Sequence, residues 1–566
     1  MLAAVTLLML AAGALAATFH PTENWNGGFK ADLHIPICAD QHGYRIHFKF
    51  NQDIDSLDEW VGQVEKINSR EFVISNAGWD LHNGDSYNVV LIGHCSGCNN
   101  PSIDITIEGM SDCGGGGHSG GGTHTGGGTN TGGGTPQGGG SKGTKDYADA
   151  LKKSILFYDA QRAGKLPANN PIPWRGDSFL DDCVVGGWFD AGDHVKFGLP
   201  FGAASHCLMW SLVEFKAGYE QAGQTDMMYD MIKWATDYIL NAWNPGAKEL
   251  VAQIGDGNAD HSVWDRPENI HMNRPCMKVN SGGTASDIAG DWAAAAAAGY
   301  LAFKDRDAGY AGRLLNAAKT LYDFGKGHQG VFGGSAPFYG SSGYKDELCI
   351  AAMWLYRATG QANYLNEAKQ WHEGGTAWAL GWDDQKIACQ LFLYEETQEG
   401  SYKAEVEGFL QSWMPGGSVP YTPCGQAWRD KWGSNRYAGN SAYVALAAAE
   451  AGIGDPAAYR KWAVEQINYL LGDNHHDGGC FSYEIGYGSK FPRHPHHRGA
   501  STAGEILQGA LVGGPDQGGN YNDVQDDYVH NEVAIDYNMG FQSALAAINK
   551  LQAEGALPAT SNKCAC

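Results

Sequence analysis

The sequence predicts a multidomain chain: a small all-β sandwich, a glycine-rich linker, and an all-α domain whose helices close into a two-layer ring, the α/α₆ barrel. Three observations predict it. Up to Cys113 short runs alternate apolar and polar residues, the period of a half-buried strand. Between 114 and 144 Gly-Gly-Gly recurs with Thr, Ser, His and Asn, a composition that cannot bury a core. From Lys145 onward apolar residues recur at three and four, the period of a helix. The expected boundaries are a leader at 1–16, the sandwich at 17–113, the linker at 114–144 and the helical domain at 145–566.

Met1 to Ala16 is a short apolar run ending in Ala14-Leu15-Ala16, a small-x-small cleavage pattern. It reads as a secretory signal peptide, too short to span a bilayer. A secreted, extracellular protein is expected, and no membrane partner. The 13 Cys should then meet an oxidising compartment, and their odd number leaves at least one thiol unpaired. With 39 basic and 63 acidic residues the net charge is -24, which argues against nucleic acid and anionic membranes. It does not argue against a neutral polymer such as a polysaccharide. The 18 Trp suggest either flat, stacking ligands or a large aromatic core.

In the first domain Tyr44-Arg45-Ile46-His47-Phe48-Lys49-Phe50 and Ser102-Ile103-Asp104-Ile105-Thr106-Ile107-Glu108 alternate strictly. Asn26-Gly27-Gly28, Asn83-Gly84-Asp85 and Asn99-Asn100-Pro101 supply the turns. Trp25, Trp60 and Trp79 stand in polar surroundings, as exposed rings that stack on pyranose faces would, although one or two could be core. Trp25-Asn26-Gly27-Gly28-Phe29, the central Trp60, Asn76-Ala77-Gly78-Trp79 and Gly84-Asp85-Ser86 resemble a family 2 carbohydrate-binding module. That resemblance implies a flat cellulose-binding face carrying the three Trp. The usual cysteine near the start of such modules is missing. Cys38, Cys95, Cys98 and Cys113 are present instead, and their pairing stays open.

Twelve helical segments follow, near 146–162, 203–217, 227–242, 287–303, 311–324, 346–359, 362–372, 385–397, 402–413, 440–451, 459–471 and 539–551. Several are hydrophobic all round, notably Asp291 to Ala298, and a helix apolar on every side is buried. A closed ring of helix hairpins accounts for so many buried helices; an irregular array is the alternative. Long loops rich in Gly, Pro and aromatics connect them, and functional residues concentrate on such loops.

Gly186-Gly187-Trp188-Phe189-Asp190-Ala191-Gly192-Asp193-His194 sets two carboxylates three residues apart. Each Gly costs a helix roughly 1 kcal/mol relative to Ala, so a loop is expected, with Gly192 bending the backbone between the acids. Such a loop can hold a water or a cation, or simply close an Asx-turn. Further loops add Asp256 to Trp264, Trp428 to Tyr437, Phe491 to Arg498 with three His and two Arg, and the acidic, aromatic Tyr521 to Tyr537. Zinc is not expected in the His cluster, which lacks closely spaced Cys partners and a His-Glu-x-x-His helix. Two carboxylates among aromatic platforms are what glycoside hydrolysis requires: an acid for the leaving oxygen and a base for water.

Gly187 to Phe197, Pro495-His496-His497-Arg498 and the Asp523-to-Glu532 spacing, in this order, resemble glycoside hydrolase family 9, the cellulases, over about 146–551. The resemblance implies an α/α₆ barrel that cleaves β-1,4-glucan with inversion and needs no cofactor for its chemistry. It implies Asp193 as the base, Asp190 as the residue orienting water, and Glu532 as the general acid. His496 and Arg498 would hold the sugar at the cleavage point, with Asp523 a second acidic position. His261, Trp264, Trp378, Trp432, Tyr437 and Tyr537 match substrate contacts. Ser342, Gly343, Asp346, Glu347 and Asp383 resemble a structural calcium site, a set that suits a hard cation; Asp346 and Glu347 could instead merely favour a helix start. Three departures stand out: Ser341 where some members carry Trp, Met539 for a small residue, and Glu484 at a usually apolar position.

The expected protein is a monomeric endo-β-1,4-glucanase acting on cellulose and related β-1,4-glucans. Endo action is the default here because only a short tail follows the barrel. Mixed-linkage glucan or xylan specificity is the enzymatic alternative, and a non-catalytic polysaccharide-binding protein the alternative of another class.

Overall fold

The computed structural model describes residues 18–25, 28–37, 39, 41–58, 63–81, 86–95, 102–108, 145–280 and 282–566. The expected leader, the linker, Trp60, Cys38, Cys98 and Cys113 lie outside the described residues. So do the side chains of Trp25 and Trp79, whose backbones lie on strands. The chain forms two compact units that divide between Pro136 and Gln137.

The first unit holds two four-stranded antiparallel sheets. One orders its strands β1 (Thr18–Trp25), β2 (Gly28–Pro36), β7 (Ser86–His94), β4 (Ser56–Asp58). The other orders β5 (Gln63–Asn68), β6 (Glu71–Leu81), β3 (Gln41–Phe50), β8 (Ile103–Ile107). The alternation read in β3 holds: Tyr44, Ile46, Phe48 and Phe50 are buried while Arg45 and Lys49 face out. With Phe29 and Phe72 from the neighbouring strands they form the core.

The second unit is the twelve-helix (α/α)₆ barrel. Its inner ring runs Gly198–Glu214, Ser286–Phe303, Lys345–Thr359, Lys386–Thr397, Ser434–Glu450 and Ile535–Ala553, and the last packs back on the first. Each inner helix carries an outer partner: Thr225–Ala242, Ala308–Gly327, Ala362–Trp371, Gly400–Trp413 and Pro456–Leu470 on the first five, Tyr147–Ala160 on the sixth. Inner helices touch neighbours on every side, which is why their sequences carry no polar face; Ala293 to Ala298 are wholly buried. Small residues allow this closeness. A Cβ on Gly290 would lie 2.7 Å from the backbone carbon of Glu347 on the next inner helix.

Disulfides join Cys183 to Cys276, Cys349 to Cys389, Cys424 to Cys564 and Cys480 to Cys566. Cys207 is a free, buried thiol. Among the described residues no helix is long and apolar enough to cross a membrane. Met539 sits in the barrel core. Ser341 Oγ donates to the Gly343 carbonyl at 2.7 Å. Glu484 is fully buried, and both its carboxyl oxygens lack a hydrogen-bond partner.

Candidate active site

The loops that precede several of the inner helices meet around one open cleft of about 780 Å³. Three stretches spread over about 340 residues are tied there by main-chain bonds. The Ile535 N–H donates to the Asp190 carbonyl at 2.9 Å, the Arg498 N–H to Gly192 at 3.0 Å, and the His496 N–H to Asn531 at 2.8 Å. Gln161 adds a side-chain donor to the Ala191 carbonyl at 2.7 Å. Gly192 serves a different purpose from the sharp bend expected of it. It is not among the glycines with left-handed φ. Instead a Cβ there would lie 2.0 Å from the His496 carbonyl oxygen, so only glycine lets the two strands of chain approach.

Of the residues singled out by the sequence, Asp190, Asp193, His261, Trp264, Trp432, His496, Arg498, Glu532 and Tyr537 line this cleft together. Asp193 Oδ2 is 2.8 Å from His261 Nε2, and its Oδ1 accepts from the Ala191 N–H at 3.3 Å. Burial alone would lower the His261 ring, but its bond to Asp193 outweighs that and holds the ring above the usual histidine range. Asp190 Oδ2 accepts a hydrogen bond from the Tyr339 hydroxyl, and its buried Oδ1 has no partner. Burial first, and then the charge of Asp193, hold Asp190 well above the usual carboxylate range.

Glu532 Oε2 accepts from Trp432 Nε1 at 2.8 Å and from the Tyr537 hydroxyl at 3.0 Å. Withdrawal from water nevertheless dominates and pushes Glu532 up to about 7, with Asp193 and Asp536 adding to the rise. Both donors occupy Oε2, which leaves Oε1 to carry a proton. His496 Nδ1 lies 2.7 Å from the Gln525 carbonyl, which can only accept, so Nδ1 holds the hydrogen and Nε2 is the free acceptor. Burial lowers its pKa, which favours the neutral ring. Trp264 and Trp432 remain 39% and 43% exposed, as platforms for a flat ligand must.

Trp378 and Tyr437 stand edge-to-face at 4.9 Å in a second cavity of about 300 Å³, together with Ser342, Gly343, Asp346 and Asp383. Trp382 lines both cavities and so joins them. Glu347 is buried behind Asp346, with both oxygens unpartnered. Asp383 accepts from the Ser342 N–H at 2.6 Å. Asp523 does not line the cleft, contrary to its expected place there. Its carboxylate accepts from the Arg493 N–H at 2.7 Å and the His494 N–H at 2.9 Å, so it fixes the loop that carries His496. The three His of that loop separate: His494 is exposed, His496 lines the cleft, and His497 is buried against Gln161 at 2.9 Å.

Tyr339, Phe338 and Trp382 also line the cleft and were not anticipated; Arg436, Asp526 and Tyr528 join them from stretches the sequence had marked without singling these residues out. The aromatic, proline-punctuated Ala336-Pro337-Phe338-Tyr339-Gly340 was the available signal for the first two. Asp193, Asp260 and His261 bring three potential ligand atoms within 4.8 Å. Asp260 is already balanced by Arg498 at 3.8 Å and Arg274 at 3.9 Å, which makes the group a poor cation site. Cys424, His475 and Cys564 form the other such group, but its two Cys are spent in a disulfide.

The model of glycosyl hydrolase family 9 matches residues 147–545. Endoglucanase A of Bacillus pumilus is 41% identical over 447 residues, 72% of this chain and 67% of that enzyme. An endoglucanase of Dictyostelium discoideum is 39% identical over 440 residues, 71% of this chain and 61% of that one. The endoglucanase of the termite Nasutitermes takasagoensis superposes with a TM-score of 0.68 at 41% identity, over 72% of this chain and 99% of that one. Endoglucanase CelQ of Clostridium thermocellum, solved with cellobiose and cellotriose, gives 0.67 at 36% identity, over 74% of this chain and 72% of its own.

Proposed function

The chain belongs to glycosyl hydrolase family 9, and from that premise we propose a secreted endo-β-1,4-glucanase that hydrolyses internal bonds of cellulose and related β-1,4-glucans with inversion. The observation that carries the reading is Glu532, held near 7 in the same cleft as Asp190 and Asp193. A carboxyl with that pKa still holds a proton where cellulose is degraded and can give it up during reaction.

Asp193 takes a proton from the attacking water, whose oxygen bonds to the anomeric carbon. The glycosidic C–O bond breaks, and its oxygen receives the proton from Glu532 Oε1. Asp190 is the member of the acid pair that burial drives to keep its own proton, and its unpartnered Oδ1 is left to orient the water. Tyr339 fixes that carboxyl from the other oxygen. His261 fixes the Asp193 carboxylate through its Nε2. Arg498 and the free Nε2 of His496 offer a donor and an acceptor for sugar hydroxyls, and Trp264 and Trp432 stack on the rings. Trp378 and Tyr437 extend the aromatic floor through Trp382.

A structural calcium ion is read at Ser342, Gly343, Asp346, Glu347 and Asp383, because Asp346 and Asp383 line one cavity with Ser342 and Gly343, and carboxylates with main-chain oxygens suit a hard cation. It would neutralise the acids at the start of helix Lys345–Thr359 and stabilise that loop. The N-terminal sandwich is read as a cellulose-binding module working through Trp25, Trp60 and Trp79. On its tether it holds the barrel at high local concentration over the polymer.

The test is reducing-end release from hydroxyethylcellulose, a neutral soluble glucan. Glu532→Gln should lose roughly 10³-fold in rate while still adsorbing to insoluble cellulose. Full activity in the variant rejects Glu532 as the acid, and no release by the wild type rejects the glucanase.

A further inference from the structure

The loop from Asp523 to Asp527 carries three acids, and the fold uses two of them. Asp523 anchors the Arg493 and His494 N–H groups. Asp527 caps the short helix Tyr528–Asn531, accepting from the His530 N–H at 3.3 Å and pairing with His530 Nδ1 at 2.9 Å. Asp526, between them, is exposed on the cleft wall, and among the described residues it makes no hydrogen bond or ion pair. Every other acid lining the cleft is held: Asp190 by Tyr339, Asp193 by His261, Glu532 by Trp432 and Tyr537. The Asp526 charge therefore remains available to a ligand. It acts on the same His496 that lines the cleft.

The aromatic rings that line the same cleft suit a pyranose. Tyr528 lies 5.5 Å from Trp432 and 6.0 Å from His496, ring centre to ring centre. A sugar laid on such an aromatic wall turns its equatorial substituents sideways toward the polar groups. A 2-amino-2-deoxyglucose unit has the linkage and equatorial geometry of a cellulose unit, with an ammonium replacing one hydroxyl in mildly acidic solution. An unpaired carboxylate on the wall attracts that ammonium and repels a carboxymethyl group.

We propose that Asp526 makes the cleft a charge selector that favours β-1,4-glycans bearing protonated 2-amino groups, as in chitosan, over anionic ones. The proposal rests on the β-1,4-glucanase reading of the same cleft. The hydrolytic step is unchanged: water adds to the anomeric carbon, Glu532 protonates the leaving oxygen, and the ammonium takes no part in bond making.

Initial rates of reducing-end release would be compared on hydroxyethylcellulose, carboxymethylcellulose and partly deacetylated chitosan at pH 5.5 and low salt. Wild type, Asp526→Asn, Asp526→Lys and, as a remote control, Asp323→Asn on the outer helix Ala308–Gly327 would be measured. Wild type should cleave chitosan. Asp526→Asn should lower the chitosan-to-hydroxyethylcellulose ratio about fivefold, near the upper range for an exposed ion pair. It should raise the carboxymethylcellulose ratio similarly, Asp526→Lys should move both further, and 0.5 M salt should shrink both effects. No cleavage of chitosan by wild type, unchanged ratios in the Asp526 variants, or an equal shift in Asp323→Asn would overturn the proposal. Failure of wild type on hydroxyethylcellulose would instead strike the glucanase reading beneath it.

Discussion

Removing the Tyr537 hydroxyl by Tyr537→Phe tests how Glu532 comes to hold its proton. Tyr537 is buried, so the change deletes one oxygen and leaves the ring in place. The hydroxyl donates to Glu532 Oε2 at 3.0 Å, and Trp432 supplies the only other donor to that oxygen among the described residues. A hydrogen bond to a charged group contributes roughly 1.5–3 kcal/mol. At 1.36 kcal/mol per pH unit that is about 1–2 units. Glu532 is half-buried, so water partly replaces the lost donor and about 1 unit is expected. The bond stabilises the carboxylate, so its loss raises the pKa further above 7. A general acid must be protonated to act, so the alkaline limb of kcat/KM should move up by about 1 unit. The assay is the pH profile of hydroxyethylcellulose hydrolysis from pH 4 to 10 for both proteins. A limb that stays in place or moves down refutes the assignment of that limb to Glu532.

Three other outcomes follow. Trp25→Ala or Trp79→Ala should weaken adsorption to insoluble cellulose about tenfold, in line with loss of an interface anchor, while activity on soluble glucan holds; equal loss on both substrates would mark the residues as structural. Chelation with EDTA should lower the thermal midpoint by a few degrees, since an ion at 100 times its Kd stabilises by about 2.7 kcal/mol. An unshifted midpoint removes calcium from the site. Burial drives Glu484 well above its usual range, so the folded state favours its neutral form. Its cost to the folded state is smallest at pH below its unfolded value and grows as pH rises toward the folded one. Glu484→Met should therefore raise the midpoint at pH 9 by ~2 °C, with a smaller gain at pH 4; a gain independent of pH would show that ionisation of Glu484 plays no part.

The twelve long helices were legible in the sequence, with starts as much as six residues off, as for Ser434–Glu450. Inner helices such as Ser286–Phe303 are buried all round, and that shows in sequence as an apolar run without a polar face. Strand β3 was equally plain, because its alternation maps directly onto one buried and one exposed side. Asp190 and Asp193 were found through their unusual glycine and aromatic neighbours. Tyr339 was not, although it bonds Asp190, because nothing local marks a tyrosine as the partner of a carboxylate about 150 residues away. Asp523 was placed at the chemistry by the family resemblance. In the structure its carboxylate accepts instead from the Arg493 and His494 N–H groups.

The sequence alone determined the twelve long helices, the alternation of strands such as β3, which stretches carry carboxylates and aromatics, and the order of the motifs, since all of these depend on neighbours within a few residues; the strands Glu249–Ile254 and Cys276–Val279 and the short helices Gly257–His261 and Tyr528–Asn531 were not read from it. Tertiary structure decided which of those loops share a cleft, why Gly192 must be glycine, and how far Glu532 is driven from its ordinary pKa. Those properties come from closing the inner ring. Closure sets Ile535 against Asp190 and Arg498 against Gly192, and draws Glu532 out of water beneath Trp432 and Tyr537.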